Sequence, residues 1–166
     1  MLEEQHEDPA SANTARSPHT HRVESLLDSA LRDASIKALV NEPKRTPRLG
    51  VDVVDIEVLA RQLSSDIGSA FKHRIFTPRE IDDCRDQVPK FATRWAVKEA
   101  VSKAIGTGFR EGLNPSAIEV LTAPHGSIQV APSAGHTWPE GANNWDWVVS
   151  AAHERNVAVA VAIALS

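Results

Sequence analysis

Trp95-Ala96-Val97-Lys98-Glu99-Ala100-Val101-Ser102-Lys103-Ala104, followed by Ile105-Gly106-Thr107-Gly108, is the stretch on which the reading of this chain turns. Val97, Ala100, Val101, Ala104 and Ile105 recur three and four residues apart and form one apolar stripe of a helix. Arg94, Lys98, Glu99 and Lys103 are left as its charged positions. Glu99 and Lys103 are four apart and meet across one turn, which on its own describes a solvated surface ion pair. Gly106 closes the helix, where a left-handed residue costs a glycine little, and Gly108 keeps the exit free to turn.

The 166 residues suffice for one domain and an appendage. With 42% apolar and 24% charged residues the chain has a soluble globular composition, and no apolar run is long enough to span a membrane. The acidic start, Met1 to Asp8, has no apolar stretch behind it and does not read as a secretory signal. Cys84 is the one cysteine, which rules out an internal disulfide framework and suits a reducing cytoplasm. The formal charge of −4 is uneven: from Lys72 to Arg110 nine Lys or Arg face five Asp or Glu, so that segment is net +4 and the remainder −8. This describes either a solvated charged face or a surface for an anionic partner. An acidic chain with few aromatics and no tyrosine is a poor nucleic-acid binder.

In chain order, residues 1–21 have the composition of a disordered tail. Val23, Leu26, Leu27, Ala30, Leu31, Ala34 and Ala38 hold a helical spacing, which predicts an amphipathic helix within residues 22–40, followed by a proline-bearing linker to Pro47. Leu49 to Ile56 reads as a strand with Val51 and Val53 on one face and Asp52, Val54 and Ile56 on the other. A carboxylate among apolar strand residues needs a cationic partner; Asp52 is either a cap for the next turn or a metal ligand. A helix is expected over 57–70. Thr77-Pro78-Arg79-Glu80 is a capping box that starts a short helix ending near Gln87, and Pro89 starts the long one. Ala117–Leu121 and Ser127–Val130 pair as a hairpin, 132–144 is loop-like, Trp145–Ser150 and Val157–Leu165 are strands, and His153-Glu154-Arg155 turns between them. The predicted fold class is α+β, a mostly antiparallel sheet packed around one long helix, with an extra N-terminal amphipathic helix.

Three separated pieces then line up: Gly50-Val51-Asp52-Val53-Val54-Asp55-Ile56; Phe91 through Gly108, then Arg110-Glu111-Gly112-Leu113; and Val149-Ser150-Ala151-Ala152-His153-Glu154 before an apolar last strand. Together they resemble the holo-acyl-carrier-protein synthase family of 4′-phosphopantetheinyl transferases, over a domain of residues 48–166. The resemblance implies an enzyme that uses coenzyme A and Mg²⁺, moves the phosphopantetheine arm onto a serine of an acyl carrier protein and releases 3′,5′-ADP. It implies a cytoplasmic homotrimer with sites between subunits, and a role in lipid metabolism. By position, Asp52 and Glu99 match the metal carboxylates and, with Lys103 near the bridging phosphates, the catalytic set. Arg94, Lys103, Gly108 and His153 match coenzyme-contacting positions. The serine belongs to the partner, so the chain needs no nucleophile of its own. Its base is expected to be a metal-bound water held by Asp52 or Glu99.

The chain departs from the family pattern at Val58, where an arginine that pairs with carrier carboxylates is usual and Arg61 follows one turn on. It departs also at Asp55 (usually Glu), at Ala152 (usually Ser), and in a short 133–144 segment that elsewhere carries a helix. The alternative is a catalytically silent relative that binds coenzyme A or a carrier protein as an interaction module. Retention of Asp52, Glu99 and Lys103 argues for the enzyme.

Overall fold

A computed structural model describes residues 46–109 and 112–165. The predicted tail, the amphipathic helix of 22–40, most of the linker, and Arg110 and Glu111 lie outside the described residues. In chain order the elements are β1 (Pro47–Asp55), α1 (Ile56–Leu63), α2 (Gly68–Ile75), α3 (Pro78–Cys84), α4 (Val88–Ile105), β2 (Ile118–Thr122), β3 (Ile128–Pro132), β4 (Asp146–Glu154) and β5 (Val157–Leu165). This is the expected α+β arrangement around one long helix. The strands form two antiparallel sheets, one ordered β1-β5-β4 and the other a β2-β3 hairpin.

The central strand β5 explains how α4 lies so close to the larger sheet. Its register pairs Gly50 with Ala162, Asp52 with Ala160 and Val54 with Ala158. Side chains directly opposite in an antiparallel pair share a face. Gly50, Val54 and the alanines of β5 therefore make one face of small residues, and Ala158, Ala160 and Ala162 join the core that includes Val97, Ala100 and Val101 of α4. The closest approach is at Gly50. A Cβ there would collide with the Ala100 carbonyl oxygen and sit 2.8 Å from the Ala104 nitrogen.

The other side of α4 is also buried, by α3 and the β2-β3 hairpin. The stripe read from the sequence therefore underestimates the buried face, and two of the charged positions left outside it are interior. Arg94 is buried, and Lys98 is fully so. Lys98 Nζ meets Glu80 Oε2 at 2.9 Å and donates to the carbonyls of Pro115 (3.0 Å) and Ile118. Glu80, equally buried, accepts from Thr77 N at 2.7 Å and from Val120 N at 2.9 Å. The capping box at Thr77 and Glu80 is thus formed, and its glutamate also ties α3 to α4 and β2. Burial pushes the Lys98 ammonium below the usual lysine range, and the Glu80 carboxylate opposes that shift.

The structure corrects other boundaries. The helix expected over 57–70 is two, α1 and α2. Ser64 ends the first, and the Ser65 hydroxyl donates to the Gln62 carbonyl (2.7 Å) instead of continuing it. Gly68 then starts α2 where a Cβ would collide with the Leu63 carbonyl. The loop-like 132–144 stretch contains a 3₁₀ segment at Pro139–Asn144. Trp138 holds it in place by donating to the Ala117 carbonyl and packing edge-on against Trp147, 5.6 Å between ring centroids. His153 and Glu154 lie within β4; the turn falls at Arg155, with φ of 49°, and Asn156.

Lys98→Met would leave the Glu80 carboxylate buried without its counter-charge. The expected loss in unfolding free energy, read from urea denaturation, is about 3–5 kcal/mol. A change below about 1 kcal/mol would show that the pair is not the internal tie described here.

Candidate functional site

Asp52 and Glu99 come from β1 and from the facing turn of α4. Asp55, three residues on, is the residue that caps the next helix, accepting from Val58 N at 2.9 Å. Asp52 is left to face the helix. Its Oδ1 receives Lys103 Nζ at 2.7 Å, and the same ammonium donates to the Val51 carbonyl at 3.0 Å. The sequence spacing had paired Lys103 with Glu99; in the fold the lysine's ion pair is with Asp52. Glu99 is half-buried, and burial, followed by the nearby charge of Asp52, raises its carboxyl above the usual glutamate range, with Lys103 acting in the opposite direction.

Asp52 and Glu99 open into one cavity of about 310 Å³, whose wall includes Asp55, Val58, Leu59 and Trp95. Trp95 precedes Glu99 by one turn and stacks on Phe109 at 5.6 Å, which ties the Gly106–Phe109 exit back onto the middle of α4. Gly106 (φ 98°) adopts the left-handed conformation expected of it, and Gly108 (φ 59°) adopts it too. Sequence reasoning did not single out Trp95 as a site residue, although its four-residue spacing from Glu99 places it on the same helix face.

Arg94 and His153 are grouped elsewhere. They line a second cavity of about 270 Å³ with Lys90, Thr93 and Thr122. His153 Nδ1 is 3.2 Å from Thr93 Oγ1. The Arg94 guanidinium pairs with Asp83, and its Nε is buried with no hydrogen-bond partner among the described residues. Within one chain, the structure thus brings Asp52, Glu99 and Lys103 together and leaves Arg94 and His153 in a separate, cationic cavity.

The Asp52–Glu99 arrangement fits a hard divalent cation. Asp52 and Glu99 line one cavity, and no group of three or more His, Cys, Asp or Glu among the described residues could hold a metal. One or two protein carboxylates, with water and phosphate oxygens completing the shell, is how Mg²⁺ is commonly bound. Cys84 offers no competing chemistry. It is fully buried at the end of α3, and burial pushes its thiol up to about 11.

Comparison with known proteins identifies the family. The model of the 4′-phosphopantetheinyl transferase superfamily matches residues 48–162, so the chain belongs to that family. It is 35% identical over 118 residues to the holo-[acyl-carrier-protein] synthase of Chlorobaculum parvum, covering 69% of this chain and 95% of the relative. It is 37% identical over 120 residues to that of Nitratidesulfovibrio vulgaris, with 69% and 94% covered. Among solved structures, Helicobacter pylori holo-[acyl-carrier-protein] synthase in complex with coenzyme A superposes with a TM-score of 0.62 at 26% identity, covering 71% of this chain and 99% of that one. The Neisseria meningitidis enzyme gives 0.63 at 27%, covering 70% and 96%.

With its acidity at about 11, the Cys84 thiol is ionised to only about one part in a thousand at pH 8. Iodoacetamide at pH 8 is expected to alkylate Cys84 in the native chain at least about 100-fold more slowly than in the urea-unfolded chain, followed by intact mass. Comparable rates would contradict the burial.

Proposed function

We propose that this chain is a Mg²⁺-dependent holo-[acyl-carrier-protein] synthase. It transfers 4′-phosphopantetheine from coenzyme A to a serine hydroxyl of an acyl carrier protein and releases 3′,5′-ADP. The observation that carries this reading is the convergence of Asp52 on β1 and Glu99 on α4 at one cavity, with Lys103 held by Asp52, within the stretch the family model matches. The relatives' names and the coenzyme A complex of the Helicobacter pylori enzyme support the substrates.

In the reaction the serine oxygen bonds to the phosphorus that carries the pantetheine arm, and the pyrophosphate bond to 3′,5′-ADP breaks. A divalent ion bound by Asp52 and Glu99 would supply charge neutralisation on the pyrophosphate. Asp52 keeps Lys103 Nζ within reach of the same phosphates, where its positive charge stabilises the departing 3′,5′-ADP. Glu99, whose proton affinity is raised in the free chain, must be ionised to bind the cation. Trp95 and Leu59 form an apolar wall that limits water at the reacting centre.

We place Arg94 and His153 on the phosphates of coenzyme A, with Gly108 allowing close backbone approach. Their separation from Asp52 and Glu99 within one chain supports a homotrimer in which the cationic cavity of one copy completes the carboxylate cavity of its neighbour. Among the described residues no helix is long and apolar enough to cross a membrane, and a cytoplasmic setting fits the lone thiol and the substrates.

The test is the intact mass of an apo acyl carrier protein incubated with the chain, coenzyme A and Mg²⁺. A gain of about 340 Da is expected, absent with EDTA and slowed at least about 100-fold by Glu99→Gln. Binding of coenzyme A without any transfer would favour a silent interaction module instead. Unchanged transfer by Glu99→Gln would refute the metal role.

A further inference from the structure

Two ion pairs join α3 to α4, and they differ in kind. Glu80 and Asp83 stand one turn apart on α3, and Lys98 and Arg94 one turn apart on α4. Glu80 takes Lys98, and Asp83 takes Arg94. The inner pair is closed: both side chains are fully buried, and backbone groups of Thr77, Val120, Pro115 and Ile118 satisfy them. The outer pair opens onto the cavity of about 270 Å³ that also holds Lys90 and His153. Its arginine is fixed in the fold, with a side chain 6% exposed, whereas its aspartate is 53% exposed.

Asp83 is the one acidic side chain among the described residues lining that cavity. It sits on donors that an anionic ligand would use. Nη2 of Arg94 donates to Asp83 and, at 3.4 Å, to the Thr122 hydroxyl. Nη1 reaches the Lys90 carbonyl at 3.5 Å, and the buried Nε has no partner among the described residues. A guanidinium holds a phosphate best through two parallel N–H groups, and here a carboxylate already occupies part of that edge. A buried arginine left without a counter-charge is costly. Asp83 therefore supplies in the free chain what a phosphate would supply in a complex.

Resting on the function proposed above, in which Arg94 contacts the phosphates of coenzyme A, we infer that Asp83 is an exchangeable counter-ion that sets the affinity of that site. It holds Arg94 oriented in the free chain and gives way when a phosphate arrives. Burial decides which partner moves: Arg94 is enclosed, while Asp83 returns to water at little cost. The exchange weakens substrate binding by the free energy of the pair it breaks. If the carboxylate stays close, like-charge repulsion acts in the same direction. The same competition favours release of the phosphate-bearing product 3′,5′-ADP. Asp83 is thus a positioning residue, acting through Arg94.

The experiment is calorimetric titration of the full chain, in Mg²⁺, with coenzyme A and separately with 3′,5′-ADP. It compares wild type with Asp83→Asn, Asp83→Glu and Asp82→Asn. Asp83→Asn is expected to tighten both ligands about 3- to 10-fold. Asp83→Glu keeps a carboxylate and should remain near wild type. Asp82, exposed and outside the cavity, is the charge-matched control; Asp82→Asn should stay within about twofold of wild type. A variant that merely disturbs α3 weakens binding, so a gain in affinity separates exchange from a folding defect. Unchanged or weaker binding by Asp83→Asn, or an equal gain from Asp82→Asn, overturns the inference and leaves the transferase reading standing. Failure of the wild-type chain to bind coenzyme A at all overturns both.

Discussion

The site depends on a backbone-to-backbone contact. β1 lies against α4 at Gly50, where the Ala100 carbonyl occupies the space a side chain would need. Two residues along the strand, on the same face, is Asp52; one residue before Ala100 on the helix is Glu99. The absence of one Cβ therefore sets the separation of the two carboxylates. Close packing tolerates no slack at such a point, because a shift of an ångström in the strand moves the Asp52 carboxylate by as much. The alanines at 158, 160 and 162 serve the same end on β5, allowing the helix to settle onto the strand that aligns β1.

Across the helix from this contact, the Glu80–Lys98 pair holds α4 to α3 and β2. It is a costly device, since two charges are taken out of water. Its hydrogen bonds to Thr77, Val120, Pro115 and Ile118 satisfy both groups and fix the helix's rotation. Rotation matters because Trp95, Glu99 and Lys103 share the face turned toward β1, while Arg94 and Lys98 share the face turned toward the hairpin. One helix thus serves two chemistries: Glu99 and Lys103 face Asp52 of β1 on one side, and Arg94 faces His153 of β4 in the second cavity on the other.

Much of this was legible from local patterns. The alternation of β1, the capping box at Thr77, the Gly106 stop and the small-residue period of β5 each carry a short-range cause, and each appears where the sequence puts it. Asp52, Glu99 and Lys103 were legible as a group through the family's motifs. What was not legible is non-local. A single apolar stripe cannot reveal that α4 is covered on two sides, so Arg94 and Lys98 were left outside the buried face. The break after Leu63 depends on Ser64 and Ser65 competing for backbone and on Gly68 meeting the Leu63 carbonyl, a contact that exists only once the turn has formed. Lys103 choosing Asp52 over Glu99 follows from the strand's approach, which no helical spacing encodes. The separation of Arg94 and His153 from the carboxylates is likewise a property of the three-dimensional arrangement.

Asp52 and Glu99, brought to one cavity by the Gly50 contact, are the two halves of the cation site proposed above. The most direct measurement is a Mn²⁺ titration followed by electron paramagnetic resonance, with coenzyme A present, on the wild-type chain, Asp52→Asn, Glu99→Gln and the double variant. If the two carboxylates share one ion, each single substitution should weaken Mn²⁺ binding about 10-fold or more, and the double should lose much less than the sum of the two. Wild-type Mn²⁺ affinity in either single variant would contradict the shared site.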